Sequence, residues 1–158
     1  MATETHSVDL SFHPCLESVT AVRRFLEVHL GRLIHDSQLI SRMAVTVHEL
    51  LENAAKYSTG GGSRLRVELD PSGLRGLSIS VANEADPRHL PDLQAAIAEL
   101  TSAEDPFEVY QRYLLRAATR DEGSGLGLAR ICIEAQMDVT LELSGQSICV
   151  KAVASPIQ

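Results

Sequence analysis

The sequence predicts an α/β (α+β) two-layer sandwich: a mixed, mostly antiparallel sheet with helices on one face. Three observations predict it. Five short segments alternate apolar and polar residues with period two. Longer segments between them repeat apolar residues every three to four positions. Their order is β, α, α, β, β, mostly helix, α, β, β, so the last four strands come in two consecutive pairs. That order suits antiparallel pairing with the helices stacked on one side.

Residues 7–13, SVDLSFH, alternate and read as the first strand, which Pro14 ends. Residues 16–34 place Leu16, Val19, Val22, Phe25, Leu26 and Leu30 at helical spacing, and Gly31 weakens the end of that helix. Asp36 or Ser37 can cap the next helix, a long one. In it Leu39, Ile40, Met43, Val47, Leu50, Leu51 and Ala54 share a face, and it stops before the breaker cluster Thr59-Gly60-Gly61-Gly62. Residues 64–70 put Leu65, Val67 and Leu69 on one side of a strand and Arg64, Arg66 and Glu68 on the other. Pro71-Ser72-Gly73 turns the chain into a second strand, 75–82, through Leu77, Ile79 and Val81, which predicts a hairpin. Residues 83–89 read as a loop. Segments 91–101 and 106–119 read as helices, the second started by Asp105-Pro106. The stretch 120–124 is polar and loop-like, and a helix follows over 126–136. The last two strands, 138–143 and 147–153, flank Ser144-Gly145-Gln146.

A chain of 158 residues fits one domain, 1–158. Hydrophobic residues make up 44% but aromatics only 4%, with no Trp, so the core must be aliphatic. The net charge of −7 argues against a nucleic-acid partner, which calls for a basic face. The three cysteines, Cys15, Cys132 and Cys149, show neither metal-ligand nor redox spacing, and a reducing, cytoplasmic setting is the simplest reading. The first residues do not form a signal peptide, and no apolar run is long enough to span a membrane.

Two constellations carry chemistry. The first is HELLENAAKYS, residues 48–58. Glu49 and Asn53 are four apart and so stand one above the other on a helix, with Lys56 further along the same edge. An amide oxygen is a hard ligand suited to Mg²⁺, a carboxylate can accept a proton, and an ammonium can offset phosphate charge. Taken alone, a solvated face with a Glu52–Lys56 pair worth ~0.2–0.5 kcal/mol is the more economical reading.

The second is EGSGLGLAR, residues 122–130, with glycines at 123, 125 and 127 directly ahead of a helix. Such glycines let backbone N–H groups approach a phosphate, and a helix N-terminus adds partial positive charge. A flexible start to the helix is the alternative. A dinucleotide fingerprint would follow a strand, and a Walker loop would end in Gly-Lys-Ser/Thr; neither context is present. The six histidines form no metal cluster.

The two constellations together, in this order, resemble the GHKL superfamily with its Bergerat fold, which includes histidine kinases, DNA gyrase, heat-shock chaperones and anti-sigma serine kinases. Residues 49–57, ELLENAAKY, resemble its N box, and residues 123–128, GSGLGL, its G2 box. The resemblance implies Glu49 as general base and Asn53 as the Mg²⁺ ligand. It implies a phosphate-binding lid loop of Gly123, Ser124, Gly125, Leu126 and Gly127, with a lid region over 84–124. Ser147 lies where the family often has a Thr or Ser that helps hold adenine. The family's G1 box, an Asp followed by Gly-x-Gly, is altered: Asn83-Glu84-Ala85-Asp86-Pro87 stands there. Asn83 takes the aligned position, as a neutral acceptor for the adenine amino group, and Asp86 is a substitute.

Glu49 and the absence of an attached sensor or phosphoacceptor domain resemble the anti-sigma branch. The resemblance then implies an ATP- and Mg²⁺-dependent serine/threonine kinase of the partner-switching type. Its partner would be an antagonist-like or sigma-factor-like protein, with a homodimer through the first strand and helix. The alternative is a non-catalytic interaction module with weak or lost ATP binding, in which the helical region 90–119 is a docking face. Plain ATP hydrolysis would differ only in what Glu49 activates.

Overall fold

The structure is a computed structural model that describes residues 5–70, 76–119 and 125–154. Its elements are β1 (His6–Phe12), α1 (Leu16–Gly31), α2 (Ser37–Tyr57), β2 (Ser63–Leu69), β3 (Leu77–Glu84), α3 (Leu90–Ser102), α4 (Pro106–Thr119), α5 (Leu126–Ile133), β4 (Met137–Ser144) and β5 (Ser147–Ala154). The strands form one sheet in the order β1-β2-β3-β5-β4. Every neighbouring pair is antiparallel, where a mixed sheet was expected. The three helices after β3 carry the chain across to β4 at the sheet edge. β4 therefore runs parallel to β3, but β5 folds back between them and leaves no parallel neighbours.

The period-two alternation sets the two faces. Leu65, Val67, Leu69, Leu77, Ile79 and Val81 are buried on the inner face, while Arg64 and Arg66 stand exposed on the outer one. Ile148, Val150 and Ala152 extend the inner face across β5. Against it α2 lays Met43, Val47, Leu50, Leu51 and Ala54. Each fully buried Leu, Ile or Met contributes about 1.5–3 kcal/mol, so this aliphatic layer dominates the folding energy.

Asp36, not Ser37, caps α2: its carboxylate accepts from the Gln38 and Leu39 amides at 3.0 and 3.1 Å. α1 ends at Gly31, before the expected 34, because the amides of Leu33 and Ile34 both turn back onto the Leu30 carbonyl. α5 ends at Ile133, short of 136. Gln136 takes a positive φ of 52°, and the carbonyls of Ala135 and Gln136 accept from Arg42 Nε at 2.6 Å and Nη2 at 2.7 Å. The turn Pro71-Ser72-Gly73 lies outside the described residues, but Asp70 donates to the Gly76 carbonyl at 2.7 Å and closes the β2–β3 hairpin around it.

Residues 83 and 84, read from sequence as loop, belong to β3: Asn83 pairs with Ile148 and Glu84 with Ser147. On α4, Val109 and Tyr113 enter the core while Phe107, Leu114 and Leu115 remain exposed. Core packing thus claims part of the aromatic content of this region. Among the described residues no helix is long and apolar enough to cross a membrane.

Candidate functional site

α2 and α5 pack together and run in opposite directions, since Gly127 meets Glu49 whereas Ala135 meets Arg42. This places the start of α5 beside the middle of α2. Glu49 is only 7% exposed. Its Oε1 accepts a hydrogen bond from Arg130 Nη1 at 3.1 Å, and a Cβ added at Gly127 would lie 2.6 Å from Oε2. Glycine at 127 therefore lets the helix backbone and the carboxylate approach this closely. Arg130 is held more firmly protonated than usual, first by the hydrogen bond to Glu49, with further charge from Glu49 and Glu134.

Gly125 immediately precedes α5, in the left-handed region at φ 69°. A Cβ at this position would stand 2.9 Å from Cε1 of Tyr113. The Tyr113 hydroxyl donates to Glu99 at 2.8 Å, and burial with that bond pushes its pKa up to about 12. Leu126 and Gly127 form the first turn of α5. Gly123 and Ser124 lie outside the described residues.

Asn53 follows Glu49 by one turn along the same stripe and is half-buried. Lys56 pairs with Glu52 at 2.9 Å. Glu52 in turn lies 3.4 Å from His48 Nε2, so the three form a ladder along α2. The hydrogen bond between them raises the Lys56 pKa and lowers that of Glu52. The pairing weighed from sequence as the bland alternative is present, and Lys56 is directed to Glu52.

The remaining predicted residues form a second cluster at the end of α2. Buried Asn83 donates from Nδ2 to the Glu84 carbonyl at 3.2 Å. Exposed Ser147 opens β5 and pairs with Glu84 in the ladder. Ala85 bridges Ser58, and the Asp86 amide donates to the Tyr57 carbonyl at 3.3 Å. The Asp86 carboxylate is gripped by Arg88, with Nη2 to Oδ2 at 2.6 Å, which lowers its pKa to about 2. The Tyr57 and His89 rings meet at 5.0 Å between centroids. Glu49 and Tyr57 are about 12 Å apart along the helix, so the two clusters are neighbours but distinct.

The structure thus brings together Glu49, Gly127 and the start of α5, with Asn53 one turn away. It sets Asn83, Asp86 and Ser147 around the end of α2. Sequence reasoning missed Arg130, although its place three residues after Gly127 puts both on one face of α5. It also missed Arg88, which takes up the Asp86 carboxylate. Among the described residues, no group of three or more His, Cys, Asp and Glu side chains could hold a metal ion. A magnesium bound through a triphosphate needs fewer protein ligands than that, since it keeps several waters. One amide oxygen at Asn53, one turn along α2 from Glu49, fits that requirement in chemical kind.

No protein-family model and no curated protein matches the chain. A chain of the SiaB-SiaC complex from Pseudomonas aeruginosa, a crystal structure, has a similar fold with a TM-score of 0.70 at 13% sequence identity. The similarity covers 92% of this chain and 88% of that one.

Proposed function

We propose that the protein is an ATP- and Mg²⁺-dependent regulatory serine/threonine kinase of the anti-sigma, partner-switching type, built on a GHKL fold. The observation that carries this reading is the contact of Glu49 with Gly127. The N-box-like stripe and the G2-box-like glycines are far apart in sequence, yet they meet within 2.6 Å of where a Cβ would stand. A carboxylate, an amide one helical turn away and the first turn of α5 lie there, which supports a phosphoryl-transfer site. The similar fold of a chain from a two-protein complex fits a protein partner.

ATP with Mg²⁺, when bound, would supply the phosphoryl group and the cation that screens it. In this reading Asn53 offers its amide oxygen to the metal, and the first turn of α5 presents backbone N–H groups and positive helix-end charge. Arg130 orients the Glu49 carboxylate and leaves Oε2 on the Gly127 side. Glu49 is then placed to take the proton of an acceptor hydroxyl. Asn83 is the candidate for reading the base as a neutral amide.

A second reading, a non-catalytic interaction module, draws on a different observation. Lys56 is paired with Glu52, Asp86 with Arg88, and the Asn83–Asp86 segment is hydrogen-bonded to β5 and to the end of α2. Calorimetric titration with a non-hydrolysable ATP analogue, with and without Mg²⁺, separates the two. The kinase reading expects Mg²⁺-dependent binding that Asn53→Ala abolishes. Absence of binding at millimolar analogue would sink it in favour of the interaction module.

A further inference from the structure

A cleft of about 420 Å³ opens between α1 and α5, with α2 as its floor and Glu49 among its lining residues. We infer that this cleft docks an extended, serine- or threonine-bearing segment of a partner protein. The inference rests on the kinase reading in one respect, that Glu49 is the group an acceptor hydroxyl must reach.

Four features point to a peptide segment. The volume lies within the range of about 300–1,000 Å³ typical of ligand sites. The floor mixes small side chains, Ser37, Ser41 and Ala44, with Ile40, Val45 and His48, and Ser37 and Ser41 are exposed, so a backbone can approach α2 there. Each wall carries one charge of each sign: Arg23 and Glu27 on α1, Arg130 on α5 with Glu134 directly after its last residue. Mixed walls suit a chain of alternating polar groups better than a simple anion or cation.

The fourth feature is incomplete pairing. Arg23 Nε lies 3.8 Å from Glu27 Oε1, and Arg130 Nε lies 3.8 Å from Glu134 Oε1. Neither is a hydrogen bond at that separation. Both Nε atoms, and Nδ1 of His48 on the floor, are buried without a hydrogen-bond partner. Small rotations of these side chains would offer the two Nε–H groups to peptide carbonyls or to an acidic side chain, which supply the missing acceptors. Glu49 is among the residues that line the cleft, so a hydroxyl held there is brought to its carboxylate. Arg23 then selects an acidic residue flanking the hydroxyl-bearing one.

The test uses the full chain and a positional-scanning peptide library with Ser or Thr fixed at the centre, read by fluorescence polarisation. Wild type should bind with an acidic preference at one flanking position. Ser41→Trp, an exposed floor position, should fill the cleft and weaken binding at least tenfold while the circular dichroism spectrum and urea midpoint stay unchanged. Arg23→Glu should switch the flanking preference from acidic to basic, which a merely structural role would not do. Absence of peptide binding, or binding indifferent to both variants, overturns the proposal. So does self-association that Ser41→Trp abolishes in a chain that binds no peptide, since the occupant would then be a second copy. ATP-analogue titration of the same samples keeps the two readings apart. Cleft-dependent peptide binding without nucleotide binding upholds the docking site and removes the kinase. Nucleotide binding with peptides indifferent to the cleft does the reverse.

Discussion

Glu49 and Arg130, 81 positions apart in the chain, are joined by a hydrogen bond of 3.1 Å across the seam between α2 and α5. The Glu49 side chain is 9% exposed and that of Arg130 is 41% exposed, so the two ends of the bond sit in different surroundings. The carboxylate depends on its partner more than the guanidinium does.

Arg130→Ala should therefore destabilise the fold by about 1–2 kcal/mol. That is less than the ~3–5 kcal/mol of a fully buried pair, because water screens the Arg130 end. Glu49→Gln should cost less, since a neutral amide leaves no buried charge behind. Urea denaturation of both single variants and the double variant would give the coupling directly.

Gly127→Ala is expected to separate stability from site geometry. Alanine improves helix propensity by up to about 1 kcal/mol, which offsets the displacement of a carboxylate that must rotate away from the new methyl. The melting temperature should move little. The Glu49–Arg130 coupling energy should vanish, and any Glu49-dependent phosphoryl transfer should fall at least tenfold.

Gly125→Ala meets two penalties at once. The position has φ 69°, and the new Cβ would stand 2.9 Å from the Tyr113 ring. Left-handed strain and overpacking together should cost about 2–4 kcal/mol in thermal or urea melts. A cost equal to that of Gly60→Ala, where φ is 86° and nothing lies within 4 Å, would show that the ring contact contributes nothing.

Alkaline pH should weaken the fold. Burial, with some repulsion from Asp138, pushes the Cys132 thiol up to about 11, and burial with the bond to Glu99 pushes Tyr113 up to about 12. In the unfolded chain these groups ionise near 9.0 and 10.0. Both folded values are raised, so the stabilisation is complete below about pH 9 and is lost as pH climbs toward 12. Unfolding free energies from urea melts at pH 8 and pH 11 should differ by on the order of 1–2 kcal/mol after allowance for screening, and Cys132→Ala with Tyr113→Phe should flatten the slope.

The sheet and its inner face were legible because alternation at Leu65, Val67 and Leu69, and at Leu77, Ile79 and Val81, has only one structural reading. The cap at Asp36 was legible to within one residue for a similar reason. Asn83 and Glu84 were read as loop because both residue types are depleted in strands, but pairing with Ile148 and Ser147 outweighs that local preference. The end of α5 was misjudged because the group that stops it, Arg42, comes from another helix.

The candidate site was legible in part. The Glu49–Asn53 stripe follows from helix period alone, and Gly125 and Gly127 from their place before a helix. That the stripe and the glycines meet needs the antiparallel packing of α2 on α5, which no local pattern encodes. Arg130 was hidden for the same reason: its partner is set by how two helices cross, not by spacing along either one.

Arg42 holds the carbonyls of Ala135 and Gln136 at 2.6 and 2.7 Å, just beyond the last turn of α5. That end of the helix is anchored to α2 by two charge-assisted bonds. Nearer its start, Arg130 bonds Glu49 and Gly127 lies against the same carboxylate. Two fixed points on α2, Arg42 beyond the last turn of α5 and Glu49 on Arg130, therefore set where the glycine-bearing first turn of α5 lies.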